Sequence, residues 1–123
     1  MTSRPCLRRA QSFANDTREA VREFHAAVAQ SDMALVIFFC SSDYDLDVVA
    51  AEMNRLFAGV QVVGCTTAGE IGPAGYIEHS LSGVSFPASQ FKAVSGCIEA
   101  LQGFRLAMGQ DVAHDLRHAL ESR

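Results

Sequence analysis

No two cysteines in this sequence stand close enough to form a C-x-x-C unit; Cys6, Cys40, Cys65 and Cys97 are far apart. That absence removes the usual ligand spacing of a structural zinc site. Three of the four lie in or beside apolar runs, which suits reduced core thiols better than a disulfide framework. There is no surplus of positive charge either: the net charge over 123 residues is -4, which argues against nucleic acid as the main partner. Arg4, Arg8 and Arg9 make a small basic start, but no apolar stretch follows them as a signal peptide or membrane helix would require. A cytoplasmic chain without a membrane partner is the expectation. Internal repeats and low-complexity segments are also missing. What is present, 49% hydrophobic and 20% charged residues in a length that suits one core, describes a soluble globular domain.

Glycine is concentrated in one stretch, VQVVGCTTAGEIGPAGY, from Val60 to Tyr76. Its apolar start has strand character and then empties into a loop punctuated by Gly69, Gly72, Pro73 and Gly75. Long loops inside compact domains are often functional, and small side chains let backbone amides approach a ligand closely. The first test is a phosphate loop, because Gly64 and Gly69 have the right spacing. Position 70 is Glu and position 71 is Ile, so both the phosphate-binding lysine and the magnesium-binding hydroxyl are missing. A dinucleotide fingerprint also fails, since Pro73 interrupts the helix that should begin there. A binding loop for some other small molecule and a glycine-rich connection with no ligand both remain open.

The surrounding chain reads as α/β. Residues 1–14 are an N-terminal tail, and Asn15 or Asp16 can cap a helix over 16–30, with Glu19 in capping-box position to Asp16 and Thr17, Ala20, Val21, Phe24 and Val28 at helical spacing. Met33 to Cys40, MALVIFFC, is apolar without alternation, the pattern of a strand buried on both faces. Residues 41–44, SSDY, break that run and open a second helix whose apolar positions 46, 49, 50, 53, 56 and 57 recur at helical spacing until Gly59 ends it. Strand, helix and strand at these lengths form a βαβ crossover with parallel strands. Residues 41–44 and 66–76 then leave the carboxyl ends of neighbouring parallel strands, where open α/β sheets bind ligands. Ser80 to Phe86 and Phe91 to Ile98 read as an antiparallel hairpin that extends this core. A last helix carries the stripe Phe104, Met108, Val112, Leu116 and Leu120. The fold expected is therefore a parallel βαβ core extended by an antiparallel hairpin, with helices packed on the sheet.

The strand MALVIFFCS, the turn SSDYD and above all VVGCTTAGEIGPAGY followed by SLSGVSF resemble the N-terminal half of the FIST sensory domain family, over roughly residues 20 to 120. The resemblance implies a domain over 15–123 that acts in intracellular signal transduction. It would sense a small ligand and pass the change to a separate signalling protein, such as a histidine kinase. The segment GPAGYIEHSLSGVSFP is similar to the branch that binds haem and through it senses nitric oxide. The family pairs this half with a C-terminal region, so half a sensor is expected. Apolar surface left uncovered on it would favour self-association.

Candidate ligand contacts follow from the shared strand edge: Ser41, Ser42 and Tyr44 after the first strand, and Cys65, Thr66, Thr67, Gly69, Glu70, Gly75 and Tyr76 in the glycine stretch. Haem would need an axial His, Cys, Met or Tyr. His79, beside the glycine loop, is the first candidate, with Cys40 and Cys65 as alternative thiolates; an exposed loop histidine is the plainer reading of His79. His25 is explained by helix packing. His114 and His118, with Asp111, share a helical face but lack the glutamate of H-E-x-x-H, so a solvated face accounts for them. The haem-free alternative is a sensor for an amino acid or similar metabolite, held by Ser41, Ser42, Thr66, Thr67 and Glu70. Least favoured is an enzyme with Cys65 as nucleophile and Glu70 or His79 as base, because no third, orienting residue is evident.

Overall fold

The structure is a computed structural model that describes residues 4–122. It divides into two compact units, one up to Phe91 and one from Lys92 onward.

The first unit carries a four-stranded sheet in the order β1-β6-β2-β3. Its strands are β1 (Arg8–Ser12), β2 (Met33–Ser41), β3 (Gln61–Thr67) and β6 (Leu81–Pro87). Two helices, α1 (Thr17–Val28) and α2 (Leu46–Leu56), lie between them in the chain. β2 and β3 are parallel, joined through α2 as the spacing predicts, and β6 runs antiparallel to both β2 and β1. The class is mixed α/β, as expected. Both helix starts are specified locally: the Asp16 carboxylate accepts the Glu19 amide at 2.9 Å, and Asp45 accepts the amides of Asp47 and Val48. α2 is capped by Phe57, and two residues on, Gly59, at φ 80°, turns the chain toward β3 in the left-handed conformation that glycine adopts without strain.

The antiparallel extension differs from the sequence reading in two places. No strand forms over 91–98, so Ser80 to Phe86 has no hairpin partner there. Its partners are β2 on one side and β1 on the other, and β1 falls inside the segment read as a tail. RRAQS carries little apolar signal of its own; it becomes a strand because β6 offers it a free backbone edge and α1 packs behind it. A small hairpin, β4 (Glu70–Gly72) and β5 (Gly75–Ile77), stands where a long loop was expected.

The core lies between the sheet and α1 with α2. Phe24, Val21, Val28, Val36 and Leu81 are fully buried, and Phe24 packs on Phe57 with ring centroids 6.0 Å apart. Glu52 on α2 is flanked by Arg18 and Arg22 of α1 and by Arg55, which ties the outer surfaces of the two helices together. The second unit contains a 3-10 turn (Leu101–Gly103) and α3 (Leu106–Glu121). The expected stripe is on α3 from Met108 to Leu120, with Phe104 just ahead of the helix and no residue of α3 buried.

Candidate functional site

The parallel register places Cys40 opposite Thr66 and Ser41 opposite Thr67. Residues 41–44 and the chain after Thr67 therefore leave the same end of the sheet, as the crossover requires. His79 completes this corner: its ring lies 4.6 Å from that of Tyr44, and its Nδ1 is 3.9 Å from an Asp43 carboxylate oxygen.

Several of the predicted contacts here already have partners inside the fold. Ser41 is buried; its amide donates to the Ser80 carbonyl at 3.0 Å and its hydroxyl accepts the Asp43 amide at 3.1 Å. Tyr44 is buried and donates to the Ala14 carbonyl at 2.7 Å. Its phenol is pushed up to about 12, first by burial and then by the nearby Glu70, Cys40 and Glu23. Glu70 is 1% exposed and accepts from Thr67 Oγ1 at 2.6 Å, the Ser80 amide at 3.0 Å and Ser80 Oγ at 2.9 Å. A buried carboxylate satisfied by three donors is a clamp, here binding the end of β3 and the start of β6 to the hairpin. Ser42, Cys65, Thr66, Gly75 and Tyr76 are exposed, and Gly69 is half-buried beneath the Tyr76 ring.

The glycine stretch lies over the sheet as a hairpin, held by Gln11 of β1. The Gln11 side-chain amide donates to the Glu70 and Gly75 carbonyls and Ser80 Oγ, each at 3.3 Å, and its carbonyl accepts the Ala74 amide at 3.0 Å. Ser82 donates to the Ile71 carbonyl at 2.8 Å. Gly72 is the point of closest approach: a Cβ there would sit 2.6 Å from Ser82 Oγ and 2.8 Å from Gln11 Oε1. Gly75, at φ 93°, lets the turn after Pro73 and Ala74 close.

Between this hairpin and the sheet lies a cavity of about 280 Å³. Ile71, Gly72 and Pro73 form its wall, and Ile37, Phe39 and Val84 its floor, with Arg9 and Ser82 alongside. Ile71, Gly72 and Pro73 lie in the loop singled out from sequence, though none of them was named there as a contact; Ile37 and Phe39 were read as part of a strand buried on both faces, and Val84 as part of a hairpin strand. The available signal was the unbroken apolar run of β2, in which Ile37 and Phe39 face away from α1 and α2. A second, smaller notch of about 170 Å³, between α2 and β3, includes Leu46, Val49, Gly64, Cys65 and Thr66.

His79 Nε2 is buried and has no hydrogen-bond partner. It is the nitrogen an iron would take, but His79 lines neither cavity and both are at or below the roughly 300 Å³ at which ligand pockets begin. The residues around His79 thus do not fit a haem in this conformation. The Cys40 thiol is pushed up to about 11 by burial, then by Glu70 and Cys65, and so stays protonated near neutrality, which suits neither a thiolate ligand nor a nucleophile. Cys65 is exposed on the edge strand β3. His114 and His118 are exposed on α3, near the Arg117–Glu121 ion pair. Among the described residues no three His, Cys, Asp or Glu side chains gather in a way that could hold a metal ion, and no helix is long and apolar enough to cross a membrane.

The family model of the FIST N domain matches residues 34–122. No curated protein and no solved structure gives a significant match.

Proposed function

The chain belongs to the FIST N domain family, and from that premise we propose that it is a sensor that binds a small metabolite in the cavity between the β4–β5 hairpin and the open sheet face. The observation that carries this reading is the cavity itself, walled by the glycine-rich segment that the family resemblance also singles out. A ligand there touches Ile71, Gly72 and Pro73 directly, and the hairpin they belong to rests on the sheet through Gln11, Ser82 and the buried Glu70. The hairpin is joined to the main sheet through these side chains and not through strand pairing, so ligand contact can shift it between two positions and alter the corner at Asp43, Tyr44 and His79. Ser42, Thr66 and Tyr76, exposed at that corner, are the surface through which a separate signalling protein, a histidine kinase among the candidates, reads the change. Catalysis has no part in this reading.

The test is amide chemical-shift mapping of the full chain against pools of small metabolites. Binding should move the signals of Ile37, Phe39, Ile71, Gly72 and Val84 and, beyond them, those of residues 74–79. A ligand whose shifts cluster away from the hairpin would sink the proposal.

Haem, and nitric oxide through it, is a second reading, favoured by one observation: the partnerless Nε2 of His79. It requires the hairpin corner to open, because His79 faces no cavity of sufficient size. His79 would be the residue to hold the haem; its Nδ1 stands 3.9 Å from an Asp43 carboxylate oxygen, beyond hydrogen-bond reach. Stoichiometric haem addition should give a Soret band that His79→Ala alters more than His25→Ala, His114→Ala or His118→Ala does. Absence of any such band removes this reading.

A further inference from the structure

We propose that the ligand of the hairpin cavity is a small carboxylate with a branched or aromatic apolar body and no ammonium group, its carboxylate held by Arg9. The inference rests on the cavity being the ligand site and concerns what that site can accept. Arg9 stands on β1 opposite Val84 of β6, beside the cavity and exposed. Its guanidinium makes no ion pair or hydrogen bond among the described residues. The neighbouring Arg8 is spent on the Ala29 carbonyl at 2.7 Å, and Arg18, Arg22 and Arg55 surround Glu52. A guanidinium left free beside an apolar cleft presents a planar fork of donors that matches a carboxylate in two parallel hydrogen bonds.

The rest of the lining decides the other half of the molecule. Ile37, Phe39, Ile71, Pro73 and Val84 offer apolar contact only, and Ser82 already uses its hydroxyl proton on the Ile71 carbonyl. No acidic side chain lines the cavity. A free amino acid would bring an ammonium group to a lining that offers it no anion and sets it beside the Arg9 guanidinium, a like charge that disfavours it. The same carbon body without the ammonium meets one cation and an apolar wall, which is what the cavity contains. At about 280 Å³ the space takes a short side chain or a single ring.

Three compounds that share one carbon body separate the terms: 4-methylpentanoate, its uncharged amide, and leucine. Titrated into the full chain by calorimetry and amide shift mapping, the carboxylate should bind at least about tenfold more tightly than either of the others, a difference of about 1.4 kcal/mol. Arg9→Gln, an exposed change on an edge strand, should abolish that preference, while Arg9→Lys should restore part of it. An amide or leucine that binds as well as the acid, or a preference that survives Arg9→Gln, overturns the assignment of a carboxylate and leaves the cavity standing as the site. If none of the three, nor phenylacetate, moves the signals of Ile37, Ile71 and Val84, the cavity is not the ligand site and both proposals fall.

Discussion

The two faces of the sheet are built from the same strands and have opposite fates. Along β2, Val36 and Cys40 point toward α1 and α2 and are 0% and 1% exposed, whereas Phe39, between them in sequence but on the other face, is 43% exposed. On β6, Leu81 and Ser85 are fully buried against the helices, with Ser85 donating to the Val28 carbonyl at 2.7 Å, while Val84 lies half-buried in the floor of the cavity. The covered face holds the fold together. Apolar side chains on the other face contribute less to stability because they have not left water completely, and they remain free to meet a ligand. An apolar run without alternation thus serves two purposes in one strand, one at even positions and the other at odd.

That division can be broken most strongly from the covered side. Phe24→Ala removes a fully buried ring that packs on Phe57 and approaches Gly83, and should cost about 3–5 kcal/mol in urea denaturation. Glu70→Gln comes next: the new amide group points a donor at the amide and hydroxyl of Ser80 or at Thr67, so about 1–3 kcal/mol should be lost. Amide exchange should be fastest to respond over residues 70–80. Gln11→Ala releases the hairpin from β1 through bonds that are long and partly exposed; a loss of about 1 kcal/mol is expected, with increased exchange confined to β4 and β5.

A smaller effect should appear on the alkaline side. Cys40 titrates near 9.0 when unfolded but only near about 11 when folded, so the unfolded chain releases its proton first as the pH rises. Its contribution is fully present below about pH 9 and declines through about pH 11, and Tyr44, raised from 10.0 to about 12, extends the decline. Stability measured from pH 7 to 10.5 should fall less steeply in Cys40→Ala than in the parent chain. Smallest of all is Phe39→Ala on the open face, which should cost no more than about 1 kcal/mol. It should nevertheless weaken ligand binding in the cavity. A large loss of stability here would mean that the two faces are not so different.

Much of the covered face was legible in advance. Asp16 with Glu19, the spacing of Ala20, Val21, Phe24 and Val28, and Gly59 after the second helix are local signals, and local signals specify where helices begin, end and turn their apolar side. The parallel pairing of β2 with β3 followed from the length of the connection alone. The open face was not legible. MALVIFFC has the same pattern whether its second face meets helices or a cavity, because hydropathy records what a residue can bury and not what covers it. RRAQS reads as a tail until β6 supplies its hydrogen-bonding partner.

Glu70 and Arg9 show the same limit at the level of single side chains. The sequence places Glu70 in a glycine-rich loop, where a carboxylate suggests a ligand contact; only the tertiary structure brings Ser80 and Thr67 around it and turns it inward. Arg9 follows Arg8 and looks like its twin. The alternation of a strand sends one toward the Ala29 carbonyl and leaves the other beside the cavity, and that alternation exists only once β1 has paired with β6. What this chain determined by itself was the position of its helices and its parallel pair, through short-range geometry. Which side chains are free to bind anything was decided by tertiary contacts, those of Gln11 with the hairpin reaching 59 to 64 positions along the chain, which no local pattern encodes.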